Sequence, residues 1–379
     1  MPDDITRAVL ARDDVARYLR GGPGAGRQDA AASARIHAYL DELQTRQRYP
    51  FYRALKHPLY PILRKIERID EHVAIAQAAT AAGRVVYISN HKSHTDYLVE
   101  PLVLDDNGVR PPVIAAGINL FGGPLGLLHR HVTGAMPIRR HMKDPAYLVT
   151  LKAYVAELLR RRDLLFYLEG GRSYTGEIKT PKTGLLHAAM EAMPVRPVVV
   201  PVAIAYDLVL EDHILPRHAS KRRARSFSRE IAEMVRYAVG YQSRAFVTFG
   251  EPVSFEGHDP DSRRDVLRLA QEIRRRIGRL YKVLPTALVA SAMRSSATRT
   301  ELEARIDALL TTLRAEGANL DVADGRDAIE RGTDALVTRN VIVVERDGRY
   351  RVRDRAVLRY YARTIQHLLT APPLHPRTH

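Results

Sequence analysis

From residue 84 onward the chain alternates short apolar runs with helix-length amphipathic stretches, and this alternation restricts the fold more than any other feature. The runs are Val85–Ile88, Val113–Ala116, Ala135–Ile138, Leu164–Leu168, Val198–Ala205 and Phe246–Phe249, with helix-like stretches at 145–162, 184–193 and 223–238 between them. Short strands alternating with helices predict an α/β layer structure, a sheet covered by helices. Upstream, residues 5–20 read as a helix that the run Gly21–Gly26 breaks off as a flexible linker. A second helix follows, with Ile36, Tyr39, Leu40 and Leu43 at helical spacing. Pro50, Pro58 and Pro61 punctuate the next segment.

Downstream, residues 262–281 form an amphipathic helix with Val266, Leu269, Ala270, Ile273, Ile277 and Leu280 on one face. Arg274, Arg275, Arg276 and Arg279 are read as its solvent face. Helices over 300–315 and 323–337 come next. A hairpin is expected from Val341–Val344, the Asp347-Gly348 turn and Tyr350–Val352, with a last helix over 354–370. The regions are therefore an N-terminal helical region (1–79), an α/β domain (80–258) and a C-terminal helical region with a β-hairpin (259–379).

A chain of 379 residues can bury a core without staples. Having no cysteine, it carries no disulfide, thiolate metal site or cysteine nucleophile. The net charge of +16 calls for an anionic partner: nucleic acid, an anionic membrane surface or a phosphorylated substrate. The longest uncharged stretch, Pro111–Leu128, is interrupted by Pro112, Gly117, Asn119, Gly122, Gly123, Pro124 and Gly126. It falls short of the roughly 20 apolar residues of a span and reads as a buried loop with a short helix, or an interfacial patch. The acidic start MPDDITRAVLARDD has no apolar h-region, so no signal peptide is expected. A place in the cytosol or on the cytosolic face of a membrane follows.

Four blocks carry candidate chemistry. In Val85–Asp96 (VVYISNHKSHTD) a strand runs through a turn into a helix start, and four residues separate His91 from Asp96. A tight turn there brings the carboxylate onto one ring nitrogen and leaves the other as a general base. The alternative is a surface histidine beside a helix-capping aspartate. A metal site built on His91, His94 and Asp96 is the rival reading. The gap between the histidines is wrong for a metallo-hydrolase and no His-Glu-x-x-His occurs, so no metal is expected and His94 is read as structural. The second block, Gly134–Arg140, is a short strand ending in Arg139 and Arg140, a pair suited to a phosphate or to a solvated basic edge. The third, Leu165–Gly176 (LFYLEGGRSYTG), followed by Pro181–Gly184, places Glu169, Gly170, Gly171, Arg172 and Ser173 after an apolar strand. Its glycines admit a ligand to the backbone, and Arg172 and Ser173 offer donors to a phosphate. In the fourth, Val198–Asp207, Pro201 interrupts a buried strand and marks an edge, a bulge or a ligand wall.

The order His-x4-Asp, Gly-Ala-x-x-Ile-Arg-Arg, Glu-Gly-Gly-Arg-Ser and Val-Pro-Val with Tyr-Asp resembles the four motifs of the glycerolipid acyltransferase family. HKSHTDYL (91–98), IAAGINL (114–120), EGGRS (169–173) and PKTG (181–184) look like its branch that acylates glycerol 3-phosphate or dihydroxyacetone phosphate. The likeness covers roughly residues 80–255, and the tail at 280–370 is similar to that family's C-terminal region. Tyr174 stands where the third motif usually has a second arginine. Bacterial members are usually much longer, so regulation and membrane docking are expected to differ.

The resemblance implies an α/β acyltransferase-type fold, with a central mixed sheet flanked by helices, N-terminal helices and a small C-terminal helix–hairpin lobe. It implies transfer of an acyl group from acyl-CoA or acyl carrier protein to the sn-1 hydroxyl of glycerol 3-phosphate, without cofactor. His91 would be the base and Asp96 its partner. Arg139, Arg140, Arg172 and Ser173 would hold the phosphate, with Lys182 beside them. Glu169 and Gly170 would shape the acceptor pocket, and Pro201 would form a wall near the donor. Dihydroxyacetone phosphate and lysophosphatidic acid are the alternative acceptors.

The basic run Arg217, His218, Lys221, Arg222, Arg223, Arg225 and Arg229 could press on anionic lipid at roughly 1 kcal/mol per charge, at the cytoplasmic face of the cell membrane, or form a solvated face. The same charges could instead meet nucleic acid, with the C-terminal lobe as a winged-helix-like module. Asp321, Asp324, Asp327, Glu330, Asp334 and Glu345 dilute the charge of that lobe and count against this reading.

Overall fold

A computed structural model of the chain describes residues 2–20, 30–45, 50, 66–122, 126, 134–140, 142–192, 195–218 and 243–370. The linker at 21–26, Pro58, Pro61 and the helix expected over 223–238 lie outside them. So does the basic run from Arg217, apart from the backbone of Arg217 and His218.

The helices are α1 (Pro2–Leu10), α2 (Asp13–Leu19), α3 (Ala30–Leu43), α4 (Val73–Ala82), α5 (Asp96–Asp106), α6 (Pro145–Leu159), α7 (Gly184–Met190) and α8 (Leu215–His218). In the C-terminal region they are α9 (Arg263–Leu280), α10 (Pro285–Ala292), α11 (Arg299–Ala315), α12 (Gly325–Thr338), α13 (Arg355–Thr364) and α14 (Gln366–Leu369). The strands are β1 (Ile66–Glu71), β2 (Val85–Ser89), β3 (Val113–Gly117), β4 (Ala135–Ile138), β5 (Leu164–Tyr167), β6 (Val198–Tyr206), β7 (Ser243–Phe249), β8 (Val253–Ser254), β9 (Ser296–Ala297), β10 (Ile342–Val344) and β11 (Tyr350–Val352).

Eight strands make the central sheet, in the order β1-β7-β6-β2-β5-β3-β4, with β8 also on β6. All pairings are parallel except β6–β7 and β6–β8, so the sheet is mixed, as expected. The apolar runs become strands because helices cover them: α4 lies on β6 and β7, α5 on β1 and β7, and α9 on β6. β1 was not legible. It lies within the N-terminal region expected to be helical, and its sequence Ile-Glu-Arg-Ile-Asp-Glu is half exposed at the sheet edge.

Pro201 sits in the middle of β6, opposite Ile88 on β2. Its other flank is where β6 changes partner, from β8 at Val198–Val199 to β7 at Val202–Tyr206. Its carbonyl takes the Gly250 amide at 2.9 Å, so the absent N–H falls at a break in the ladder, where it removes no regular rung.

The N-terminal helices pack on α6. The stretch expected as one helix over 5–20 breaks at Ala11–Arg12 into α1 and α2. In the C-terminal region α10 is buried on nearly every residue and is wrapped by α11, α12 and α13. The hairpin forms as expected and gains a third strand, β9. The helix expected over 354–370 is interrupted at Ile365. Several of the lobe's arginines are paired with acids: Arg349 with Glu301, Arg351 with Glu345, Arg331 with Asp321 and Asp327. Among the described residues no helix is long and apolar enough to cross a membrane.

Candidate active site

At the end of β2 the Asn90 side chain continues the ladder in place of backbone. Its Nδ2 donates to the Ile204 carbonyl (2.9 Å) and its Oδ1 accepts from the Ile204 amide (2.8 Å). The main chain is thereby released into a turn, which ends at Asp96, the first residue of α5. Asp96 is fully buried. Its Oδ2 accepts from His91 Nδ1 (2.8 Å) and from the amides of Lys92 (2.7 Å) and Ser93 (3.0 Å), and its Oδ1 accepts from the Tyr206 hydroxyl (2.7 Å). A carboxylate can only accept, so Nδ1 carries the proton and Nε2 is left with its lone pair. The imidazole lies flat on the Tyr167 ring, centroids 4.1 Å apart and planes within 13°.

Burial, together with Arg172, His94 and Arg140, pushes His91 well below the ordinary histidine value. The ring is therefore neutral near pH 7, the form a base requires. Burial raises the Asp96 carboxyl to about 6, against the pull of donors from Ser93, Tyr206 and Lys92.

Two cavities meet at His91. One, of about 300 Å³, is lined by apolar side chains that include Tyr97, Ile138, Tyr147, Leu151, Phe166 and Leu185. The other, of about 250 Å³, is lined by Arg140, Arg172, Lys179, Lys182, Asn119 and Glu169. His91, His94, Arg140, Gly170, Gly171 and Lys182 line both. Gly170 adopts φ +65°, and a Cβ there would lie 2.9 Å from Lys182 Cγ; one at Gly171 would lie 3.3 Å from Arg140 Nη1. The glycine pair thus lets the backbone lie directly against two cations.

Of the residues singled out in the sequence, His91, Asp96, Arg140, Glu169, Gly170, Arg172 and Lys182 converge. Glu169 acts as a brace: its oxygens accept from the amides of His91 and Lys179, both at 3.2 Å. Arg172 is buried, donates to Glu211 (3.3 Å) and stacks over Tyr174.

Three expected phosphate or wall residues are placed otherwise. Arg139 lines the apolar cavity, but its guanidinium grips Glu42 of α3 at 2.6 and 2.8 Å, because the N-terminal helices bring a carboxylate to that rim. Ser173 is buried and lines neither cavity. Its hydroxyl donates to the Glu177 carbonyl (2.6 Å) and its amide to the His91 carbonyl (2.8 Å), which fixes the loop. Pro201 lines neither cavity and serves the sheet at the change of partner strand. Arg274, expected on a solvent face, donates to the carbonyls of Ile178 (2.9 Å) and Lys179 (3.0 Å).

Several residues that complete the site carry no local signal. Lys179 reaches the carbonyls of Gly171 (2.9 Å) and Arg172 (3.2 Å), and burial lowers its pKa. Glu211 accepts from the His94 amide (2.7 Å) and the Ser93 hydroxyl (2.8 Å). Lys92 is buried, donates to the Gly176 carbonyl (2.5 Å) and lies over the Tyr281 ring; burial lowers its pKa to about 8. Lys92 and Glu211 are set by partners far away in sequence, and Lys179 by the fold of its own loop back onto Gly171 and Arg172. Among the described residues no group of three or more His, Asp or Glu could hold a metal ion.

Two family profiles match the chain. The Acyltransferase family profile matches residues 68–205, and that of the glycerol-3-phosphate acyltransferase C-terminal region matches residues 231–375. The glycerol-3-phosphate acyltransferase of Aeromonas hydrophila subsp. hydrophila is 30% identical, over 90% of this chain and 47% of that protein. That of Histophilus somni is 35% identical, over 59% of this chain and 29% of that one. The chain spans about half the length of the former. A solved structure, the 1-acyl-sn-glycerophosphate acyltransferase PlsC of Thermotoga maritima, overlaps with a TM-score of 0.37 and 14% identity, over 73% of this chain and 96% of that one, too distant to place any residue. With residues 68–205 matched by one profile and residues 231–375 by the other, the chain belongs to the glycerolipid acyltransferase family.

Proposed function

We propose that the protein transfers an acyl group from a thioester, acyl-CoA or acyl carrier protein, to the sn-1 hydroxyl of glycerol 3-phosphate. The observation that carries this reading is the position of His91, paired with Asp96 at 2.8 Å, where an apolar cavity meets a cationic one. An acyl chain suits the first cavity, and a phosphate suits the second with Arg140, Arg172, Lys179 and Lys182.

His91 Nε2 takes the proton of the acceptor hydroxyl as its oxygen bonds to the thioester carbonyl carbon. Asp96 keeps Nδ1 protonated and stabilises the imidazolium. The tetrahedral intermediate then expels the thiolate, which takes that proton from Nε2; the C–O bond remains and the C–S bond is broken. The chemistry calls for no metal and no covalent enzyme intermediate. Its lipid product belongs in a bilayer, which favours a peripheral position on the cytoplasmic face of an anionic membrane. The relatives' name, glycerol-3-phosphate acyltransferase, supports this acceptor over dihydroxyacetone phosphate and lysophosphatidic acid. An acyl-transfer assay with the three acceptors side by side tests it: the highest kcat/KM is expected with glycerol 3-phosphate, and turnover of none of them would overturn the reading.

A further inference from the structure

Asp96 holds the catalytic imidazole by one nitrogen, and a single hydrogen bond leaves a ring free to tilt about it. The parallel face of Tyr167, 4.1 Å away, removes that freedom. Tyr167 is the last residue of β5, at the cavity wall, where a side chain could swing. Its hydroxyl is pinned instead: it donates to Glu100 Oε2 at 2.9 Å, while the Ser89 hydroxyl donates to Glu100 Oε1. Glu100 is buried, one helical turn after Asp96 on α5, so both acids project from the same helix face.

We infer that Glu100 and Tyr167 are positioning residues, which fix the plane of the His91 ring while Asp96 fixes its edge. This inference rests on His91 being the base. Ser89 from β2 and Glu100 from α5 thus hold Tyr167, at the end of β5, flat against the ring, so the ring's orientation is set before substrate arrives. The phenol face also lies where the imidazolium forms, and an aromatic face attracts a cation. Burial and the neighbouring Asp96 hold the Glu100 carboxyl well above its ordinary value.

The test is steady-state kinetics on six variants of the full chain, with folding followed by circular dichroism. Tyr167→Leu, which removes the face, is expected to lower kcat about thirtyfold and to leave both KM values within twofold. Tyr167→Phe and Glu100→Leu each break the hydroxyl–carboxyl link and should lower kcat three- to tenfold. Because they break the same link, the double variant should be no slower than the worse single one. Glu100→Gln, which can still pair both hydroxyls, should recover most of what Glu100→Leu loses. A wild-type kcat in Tyr167→Leu, multiplicative losses in the double variant, or an effect on acceptor KM alone would overturn the inference. Should Tyr167→Leu fail to fold, the double-variant comparison still decides. His91→Ala separates the two levels: full turnover there removes the base itself, whereas its loss beside an unaffected Tyr167→Leu removes only the positioning role.

Discussion

At the scale of single residues, the strongest demand falls on the His91–Asp96 pair. General-base catalysis is worth roughly 10²–10⁴-fold, so His91→Ala and Asp96→Ala should each cut kcat by at least a hundredfold. The thermal melt should stay near wild type in His91→Ala and fall in Asp96→Ala, which strands the amides of Lys92 and Ser93 and the Tyr206 hydroxyl. The pair also sets the pH profile. Transfer needs His91 neutral and Asp96 ionised; burial lowers the first and raises the second to about 6. As pH falls through about 6, Asp96 gains a proton and loses its hold on Nδ1. A profile of kcat/KM should therefore be flat at pH 7 with an acid limb near 6, and an inflection above 7 would contradict the assignment. The cations make a third prediction. Charge-assisted bonds contribute roughly 1.5–3 kcal/mol each, or about ten- to a hundredfold in affinity. Arg140→Ala and Arg172→Ala should raise the KM for glycerol 3-phosphate by that factor and leave the donor KM unchanged. Arg139→Ala, its guanidinium already on Glu42, should move it far less.

At the scale of elements, most of the sheet was legible because its strands are continuous apolar runs, and the His91–Asp96 spacing was legible because both ends lie on one turn. β1 was hidden by its charges, and α10 by being apolar all round, with no polar face to give it a helical period. Lys92 and Glu211 were hidden because their partners lie on other elements, and Lys179 because its loop has no period from which its fold back onto Gly171 and Arg172 could be read. The loop at 173–182 shows what such pairings achieve. Lys92 holds it from the catalytic turn, Arg274 of α9 holds it from behind, and Gly176, at φ +92°, lets it pass against α13, where an added Cβ would lie 2.0 Å from the Tyr360 carbonyl oxygen. Gly176→Ala combines a left-handed backbone with that collision, so it should cost at least ~2 kcal/mol. A lowered melting temperature together with a raised acceptor KM would show it; an unchanged melt would mean that the loop does not need this contact.

At the scale of the whole molecule, the C-terminal region is part of the same folding unit as the sheet. The Tyr361 hydroxyl accepts from the Val209 amide (3.0 Å) and donates to Asp212 (2.6 Å), just after β6, while α9 packs on β6 itself. The full chain should melt in one transition, and a chain ending at residue 258 should fail to give soluble, folded protein; two separate calorimetric transitions would argue for independent domains. The edge strand β1 has a different consequence, one of timing during synthesis. Ile66 pairs with Ser243, so the partner strand is translated 177 residues later. At about 5–20 residues per second, β1 waits roughly 9–35 s beside the ribosome with its edge unpaired. The two glutamates, the arginine and the aspartate of Ile-Glu-Arg-Ile-Asp-Glu are suited to that interval, because charge on an open edge discourages pairing with another nascent chain. The residues that hide β1 from a reader of the sequence thus protect it from a wrong partner before its own has been made.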